Sequence, residues 1–116
     1  MVKVEETYYL MYSGADTHSE HYALGNATAA SPLGPFIKFE ANPITVLGSQ
    51  VFGPGHHAVW RDDAGQQWCL YHVKQGNTPG WNRVISMDPL QLRADGSLSV
   101  NTSLHVQQPI PRIRAL

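Results

Sequence analysis

The sequence has 116 residues, with 8 Lys and Arg against 9 Asp and Glu, so its formal net charge is −1. That balance excludes a chain built around nucleic acid, because phosphate binding needs a clustered basic excess; with 42% hydrophobic and 15% charged residues it also excludes wholesale disorder. One cysteine, Cys69, excludes an internal disulfide framework, and no apolar run approaches the ~20 residues of a membrane-spanning helix.

Read in chain order, the sequence alternates short strand patterns with turn chemistry. Thr7-Tyr8-Tyr9-Leu10-Met11-Tyr12-Ser13 is aromatic-rich and stops at Gly14, which suits a pleated, buried strand. Glu5 and Glu6, just before it, fit a hairpin tip. Residues 22–29, from Tyr22 to Ala29, form a second run, ended by Ser31-Pro32-Leu33-Gly34-Pro35. Phe36-Ile37-Lys38-Phe39 is a short third strand, closed by Asn42-Pro43-Ile44. Gly53-Pro54-Gly55 reads as a turn, and His57-Ala58-Val59-Trp60 as the strand after it. Asp62-Asp63-Ala64-Gly65 is a hairpin turn signal, answered by Gln67-Trp68-Cys69-Leu70-Tyr71-His72-Val73. Gly76-Asn77-Thr78-Pro79-Gly80 is a loop, Arg83-Val84-Ile85-Ser86-Met87 a strand, and Asp88-Pro89 its break. Leu90-Gln91-Leu92 and Leu98-Ser99-Val100 flank a further hairpin turn at Ala94-Asp95-Gly96. Nowhere do apolar residues recur with helical spacing over a helix length.

The expected fold class is therefore all-β. Tyr8-Tyr9-Leu10-Met11-Tyr12 and Trp68-Cys69-Leu70-Tyr71-His72 read as equivalent strands about 60 residues apart, a scale that suits propeller blades with long loops. The chain then holds roughly two four-stranded antiparallel blades, whereas closed propellers have about four to eight. Two blades leave unpaired edges, which favours self-association through those edges.

Polar residues that could carry chemistry are few. Gly53-Pro54-Gly55-His56-His57 lets the backbone approach a ligand or a second strand closely, with His56 beside it. His56, His57 and His72 could gather around zinc, but neighbours on a regular strand point to opposite faces, and neither CxxC nor HExxH spacing is present. Asp62, Asp63 and Asp95 read as turn formers, and Asp88 precedes a proline. Asp16 and Glu20 share one polar loop and are the pair most able to face a cleft, although a solvated loop is the favoured reading of them. Arg83 opens a strand after Gly80-Trp81-Asn82, where an arginine can clamp a hydroxyl or carboxylate or simply face solvent. No nucleophile elbow, P-loop or dinucleotide fingerprint occurs.

Taken in order, Tyr8-Tyr9-Leu10-Met11-Tyr12-Ser13-Gly14, the run from Tyr22 to Thr28, Ser31-Pro32-Leu33-Gly34-Pro35-Phe36, Asn42-Pro43-Ile44, Gly53-Pro54-Gly55-His56-His57 and Trp68-Cys69-Leu70-Tyr71-His72 resemble glycoside hydrolase family 43 over residues 7–100. The resemblance implies a five-bladed β-propeller, here roughly its last two blades at residues 1–48 and 49–116, within a single partial domain. It implies hydrolysis of arabinosyl or xylosyl O-glycosidic linkages of plant polysaccharides with inversion, by an Asp base and a Glu acid ~6.5–9.5 Å apart, helped by a further Asp. It places both aspartates in blades before this segment and the acid in a Glu-Gly-Pro or Glu-Ala-Pro motif just upstream of Met1. Glu5 and Glu6 lie too close to the strand and precede no proline, so no catalytic residue is expected within residues 1–116, and the segment is expected to be inactive alone.

Two positions carry over as active-site support or substrate contacts. His56 matches the histidine after Gly-Pro-Gly, which in the family faces the central cavity and in some members stands near a calcium ion. Arg83 matches an arginine of the final blade that reaches substrate. No other cofactor is implied. The expected partner is a pentose-containing oligo- or polysaccharide, with neither nucleic acid nor membrane. The alternative is a non-catalytic carbohydrate-binding or oligomerising β-module, and a third reading is an unrelated small β-sandwich.

Overall fold

A computed structural model describes residues 1–48, 50–75 and 82–114. These residues form nine strands and no helix, arranged in two sheets. The first sheet runs β1 (Val2–Val4), β2 (Thr7–Gly14), β3 (Ala23–Ala29) and β4 (Ile37–Lys38), antiparallel and in chain order. In the second sheet, β6 (Phe52–Arg61), β7 (Gln67–Lys74), β8 (Arg83–Leu92) and β9 (Leu98–Asn101) form an antiparallel meander. The two-residue β5 (Thr45–Val46) adds to β9 in parallel. The Gly76-Asn77-Thr78-Pro79-Gly80 loop and Trp81 lie outside the described residues.

Residue type accounts for the strand positions. In β2, Tyr9 and Met11 are buried while Leu10 between them is exposed, the alternation of a strand covered on one face. In β3, Leu24 to Ala27 are all buried, and β7 buries Trp68, Cys69, Tyr71, Val73 and Lys74; these strands are covered on both faces, so alternation disappears. Glu5 and Glu6 do form the tip of the β1–β2 hairpin, with Val4 opposite Thr7 and Glu5 at φ 50°. Gly65 and Gly96 take φ 87° and 80° in the two turns where glycine was expected.

The second sheet has five strands, one of them parallel, where four antiparallel ones were expected, and two proline-containing segments read as a break or a turn lie within strands. Asp88-Pro89 does not end its strand: β8 continues to Leu92. Pro89 sits opposite Trp68 at the last pair of the β7 ladder, and Leu90 opens the ladder with β9, so the missing N–H falls where the strand changes partner. Gly53-Pro54-Gly55 is not a turn before a strand but part of β6. It is accommodated by two bulges, which set Phe52 to Gly55 against Lys74 to His72 and Gly55 to Ala58 against His72 to Leu70, three steps against two each time.

One apolar cluster joins the sheets. Tyr9, Met11 and Leu24 of the first pack with Cys69, Tyr71, Val73, Leu90, Leu98 and Val100 of the second, bridged by Ile44 and Val51. Leu24, Val73 and Val100 have no solvent exposure, and burying each stabilises the fold by about 1.5–3 kcal/mol. Ile44 also ties the backbones: its N–H donates to the Leu24 carbonyl at 2.8 Å, and its carbonyl accepts from the Val100 N–H at 2.9 Å. The Tyr9 hydroxyl reaches across to the Gly96 carbonyl at 2.8 Å.

The described residues after β9 form no strand, yet three carboxylates hold them: Asp63, which accepts from Arg114 N, and the more heavily engaged Asp88 and Asp62. Asp88, 1% exposed, accepts from Tyr71 Oη, from Ser103 N at 3.0 Å and Oγ at 2.6 Å, and from Gln108 Nε2 at 2.5 Å. Asp62 accepts from Ala64 N, Gln66 N, Trp68 Nε1 and Arg112 N at 2.9–3.2 Å. Desolvation raises the Asp62 pKa, but these hydrogen bonds outweigh it and hold the carboxyl below its usual range.

Candidate functional site

The sugar-facing residues expected from the sequence, His56 and Arg83, both lie on the second sheet. His56 occupies the second bulge of β6 at φ 52°, the left-handed region, which few non-glycine residues adopt. The bulge turns its N–H away from β7 and toward the first sheet, where it donates to Ser13 Oγ at 2.9 Å. The side chain is exposed. Arg83 is the exposed first residue of β8, opposite Lys74.

His72 brings them together. On β7 it lies opposite Gly55 on one side and Ile85 on the other. Its ring stacks with His56 at 6.1 Å between centroids and 29° between planes, and with Tyr22 at 5.8 Å and 19°. Tyr22 was read as a strand residue; it lies in the loop before β3 and lays its ring over Gly55. A Cβ on Gly55 would come within 2.1 Å of Tyr22 Cε1, so this glycine is required by close approach. Burial, then the positive charges of Arg83, His56 and Lys74, hold His72 below the usual imidazole value. The neutral ring is therefore the stable form at neutral pH.

Lys74 is 4% exposed, and its Nζ donates to the Ser19 carbonyl at 2.6 Å. It passes under Gly53, whose added Cβ would stand 3.2 Å from both Lys74 Cε and Nζ. The loop from Ala15 to Tyr22 is thus pinned to β7 at both ends of the histidine cluster. Within that loop Asp16 accepts from the His18 N–H at 2.9 Å and pairs with His18 Nδ1 at 3.2 Å. Those hydrogen bonds hold its carboxyl below the usual value. Glu20 and Tyr22 line a hollow of about 250 Å³ with Pro43, Thr45 and Leu47. Asp16 and Glu20 are exposed loop residues.

His57, next to His56, is half-buried, and burial followed by the Met1 amino terminus and His56 lowers its pKa. Among the described residues no three His, Cys, Asp or Glu side chains group as metal ligands. Calcium takes six to eight oxygen ligands. The described partners of His56, the Ser13 hydroxyl and the His72 ring, offer one hydroxyl oxygen, so they do not by themselves form such a shell.

Sequence reasoning singled out His56 and Arg83 and placed His72 beside His56 only as a candidate zinc ligand, and it missed Tyr22 and Lys74. The available signal was the invitation to close approach at Gly53 and Gly55; which side chains answer it depends on contacts between distant parts of the chain.

The family model described as Glycosyl hydrolases family 43 matches residues 1–98. A Beta-D-galactofuranosidase xynD of Aspergillus niger is 31% identical over 109 residues, covering 90% of this chain and 31% of that protein. The crystal structure of a thermostable family-43 glycoside hydrolase superposes with a TM-score of 0.85 at 36% identity, over 97% of this chain and 37% of the other. An endo-1,4-beta-xylanase from Bacteroides thetaiotaomicron shares the fold with a TM-score of 0.77 at 24% identity, over 88% and 36% of the respective chains. The chain spans about a third of the length of each of these relatives.

Proposed function

The chain belongs to glycosyl hydrolase family 43, and from that premise we propose that it forms the acid-free share of a sugar-cleaving site for arabinosyl or xylosyl O-glycosidic linkages of plant polysaccharides. Its fold is all-β and follows the family's five-bladed β-propeller. In this reading the blades are residues 1–48 and 49–116, with β5 strapping one to the other. His56 and Arg83 support the reacting centre and hold the sugar, while the general acid and base of the inverting reaction stand elsewhere in the propeller. The 116-residue chain alone does not hydrolyse the linkage.

The observation that carries this reading is the engagement of all five aspartates in local structure, with the four glutamates left on exposed turns and loops. Asp16, Asp62, Asp63, Asp88 and Asp95 each accept hydrogen bonds from nearby backbone or side chains that fix local structure. Glu5 and Glu6 sit on a hairpin tip, and Glu20 and Glu40 are exposed in loops. Inverting hydrolysis needs one carboxyl free to give a proton and another free to take one from water across the sugar.

In a whole propeller that carries this segment, His56→Ala and Arg83→Ala should each lower turnover of an aryl arabinofuranoside or xyloside roughly 10- to 100-fold, as misplaced substrate does. Near-wild-type rates in both variants would remove these two positions from the site.

A second reading, an oligomerising or non-catalytic carbohydrate-binding module, is favoured by one feature. Among the described residues, β6 is bonded to the side of the first sheet only near its start, through Gly53 N–H to the Glu20 carbonyl and His56 N–H to Ser13 Oγ, whereas its last four residues, Ala58 to Arg61, pair with β7 alone and leave a short edge. Light scattering discriminates: a closed oligomer that binds pentose oligosaccharides without cleaving them supports this second reading, and a monomer that aggregates supports the first.

A further inference from the structure

We infer that His72 is the positioning residue for His56, the middle ring of a Tyr22–His72–His56 column that carries the sugar-facing histidine on a support spanning both sheets. The inference rests on the assignment of His56 to the sugar site. The backbone of His56 is fixed by its bulge and by Ser13, but its exposed side chain needs a separate support. His72 supplies one, with centroid separations of 6.1 Å to His56 and 5.8 Å to Tyr22, both in the range of offset aromatic stacks. Tyr22 precedes β3 of the first sheet, whereas His72 and His56 lie on β7 and β6 of the second. A shift of one sheet against the other therefore reaches His56 through the column.

An imidazole in the middle is informative. Its Nε2 is buried with no hydrogen-bond partner among the described residues, a feature that a phenylalanine would avoid. What the imidazole adds is a charge that can be switched on. The groups facing it are Arg83 on β8, Lys74 on its own strand, His56 on β6 and the Tyr22 ring from the loop before β3. A proton on His72 would stand against those cations. Burial and those cations hold its pKa below the usual imidazole value, so the proton binds only as the pH falls below that range, and binding it places a positive charge beside the His56 ring.

The test is imidazole NMR on the 116-residue chain without sugar. The His56 ring protons are expected to be displaced upfield by the ring current of His72. That displacement should persist in His72→Phe and vanish in His72→Ala. With falling pH, the His56 ring shifts should also report protonation of His72, as an inflection below the usual imidazole range that disappears in His72→Phe. Should His72→Ala fail to fold, the presence of that inflection in wild type and its loss in His72→Phe decide alone. His56 resonances unmoved in a folded His72→Ala, or an inflection from His72 that is absent in wild type or survives in His72→Phe, would overturn the inference. These signals involve no sugar, so full turnover in a His56→Ala propeller would sink the sugar-site assignment without touching the column.

Discussion

Gly55→Ala should destabilise the chain by about 1–3 kcal/mol, the usual range for overpacking a filled site. The opposing effect is smaller: alanine restricts the unfolded backbone and by itself stabilises by about 0.4–1 kcal/mol where the native conformation accepts it. The contact decides between them. The new Cβ would lie 2.1 Å from Tyr22 Cε1 and 2.5 Å from Cδ1, so Tyr22 must leave its place over Gly55 and beside His72. The clash has one partner, and a double-mutant cycle isolates it. Tyr22→Ala removes the obstructing ring, and Gly55→Ala added to it should then cost less than it does alone, with a coupling of about 0.5–3 kcal/mol. Urea unfolding midpoints at unchanged slope give each leg of the cycle. Strict additivity would mean that Tyr22 does not pack on Gly55.

The second large effect is expected at Asp88. Its buried carboxylate gathers the Tyr71 hydroxyl, the Ser103 N–H and hydroxyl and the Gln108 amide, tying the segment after β9 to β7 and β8. Burial first, then the hydrogen bond to Asp88, pushes the Tyr71 phenol well above its usual pKa, so it stays protonated and donates. Asp88→Ala strands these donors in the interior and should lower stability by about 3 kcal/mol, since each unsatisfied buried group costs roughly 1–3 kcal/mol. Asp88→Asn keeps one acceptor oxygen but turns an NH2 toward other donors, and should fall between alanine and wild type. Denaturant unfolding checks both. An alanine variant within about 0.5 kcal/mol of wild type, the range of an ordinary surface change, would show that the carboxylate is not what holds the segment.

Asp88 also shows where local reading stops. From the sequence, Asp-Pro is a strand breaker, and the rule fails here because the strand changes partner at that proline. The aromatic strands were legible because their side chains face a core, and the turns at Gly65 and Gly96 because those positions need positive φ. β5 was not legible: two residues, Thr45 and Val46, pair with Val100 and Asn101 far along the chain, and nothing in Thr-Val marks that. The hold of Asp62 on Arg112 is of the same kind.

At the candidate site, the glycines around Pro54 signalled close approach, and the structure supplies what approaches: Tyr22 over Gly55 and Lys74 under Gly53. His56 and Arg83 were marked by resemblance to a family motif, not by their chemistry alone. That their surroundings meet at His72 depends on two bulges and a register that alternation along a strand does not encode.

The central claim is that this chain carries the sugar-holding side of a family 43 site without its acid and base. The most direct measurement is turnover of nitrophenyl arabinofuranoside and nitrophenyl xyloside by the purified 116-residue chain. No release of nitrophenol above the rate without protein is expected. Robust turnover, abolished by replacing one of the chain's own carboxylates, would contradict it and place the catalytic pair within these residues.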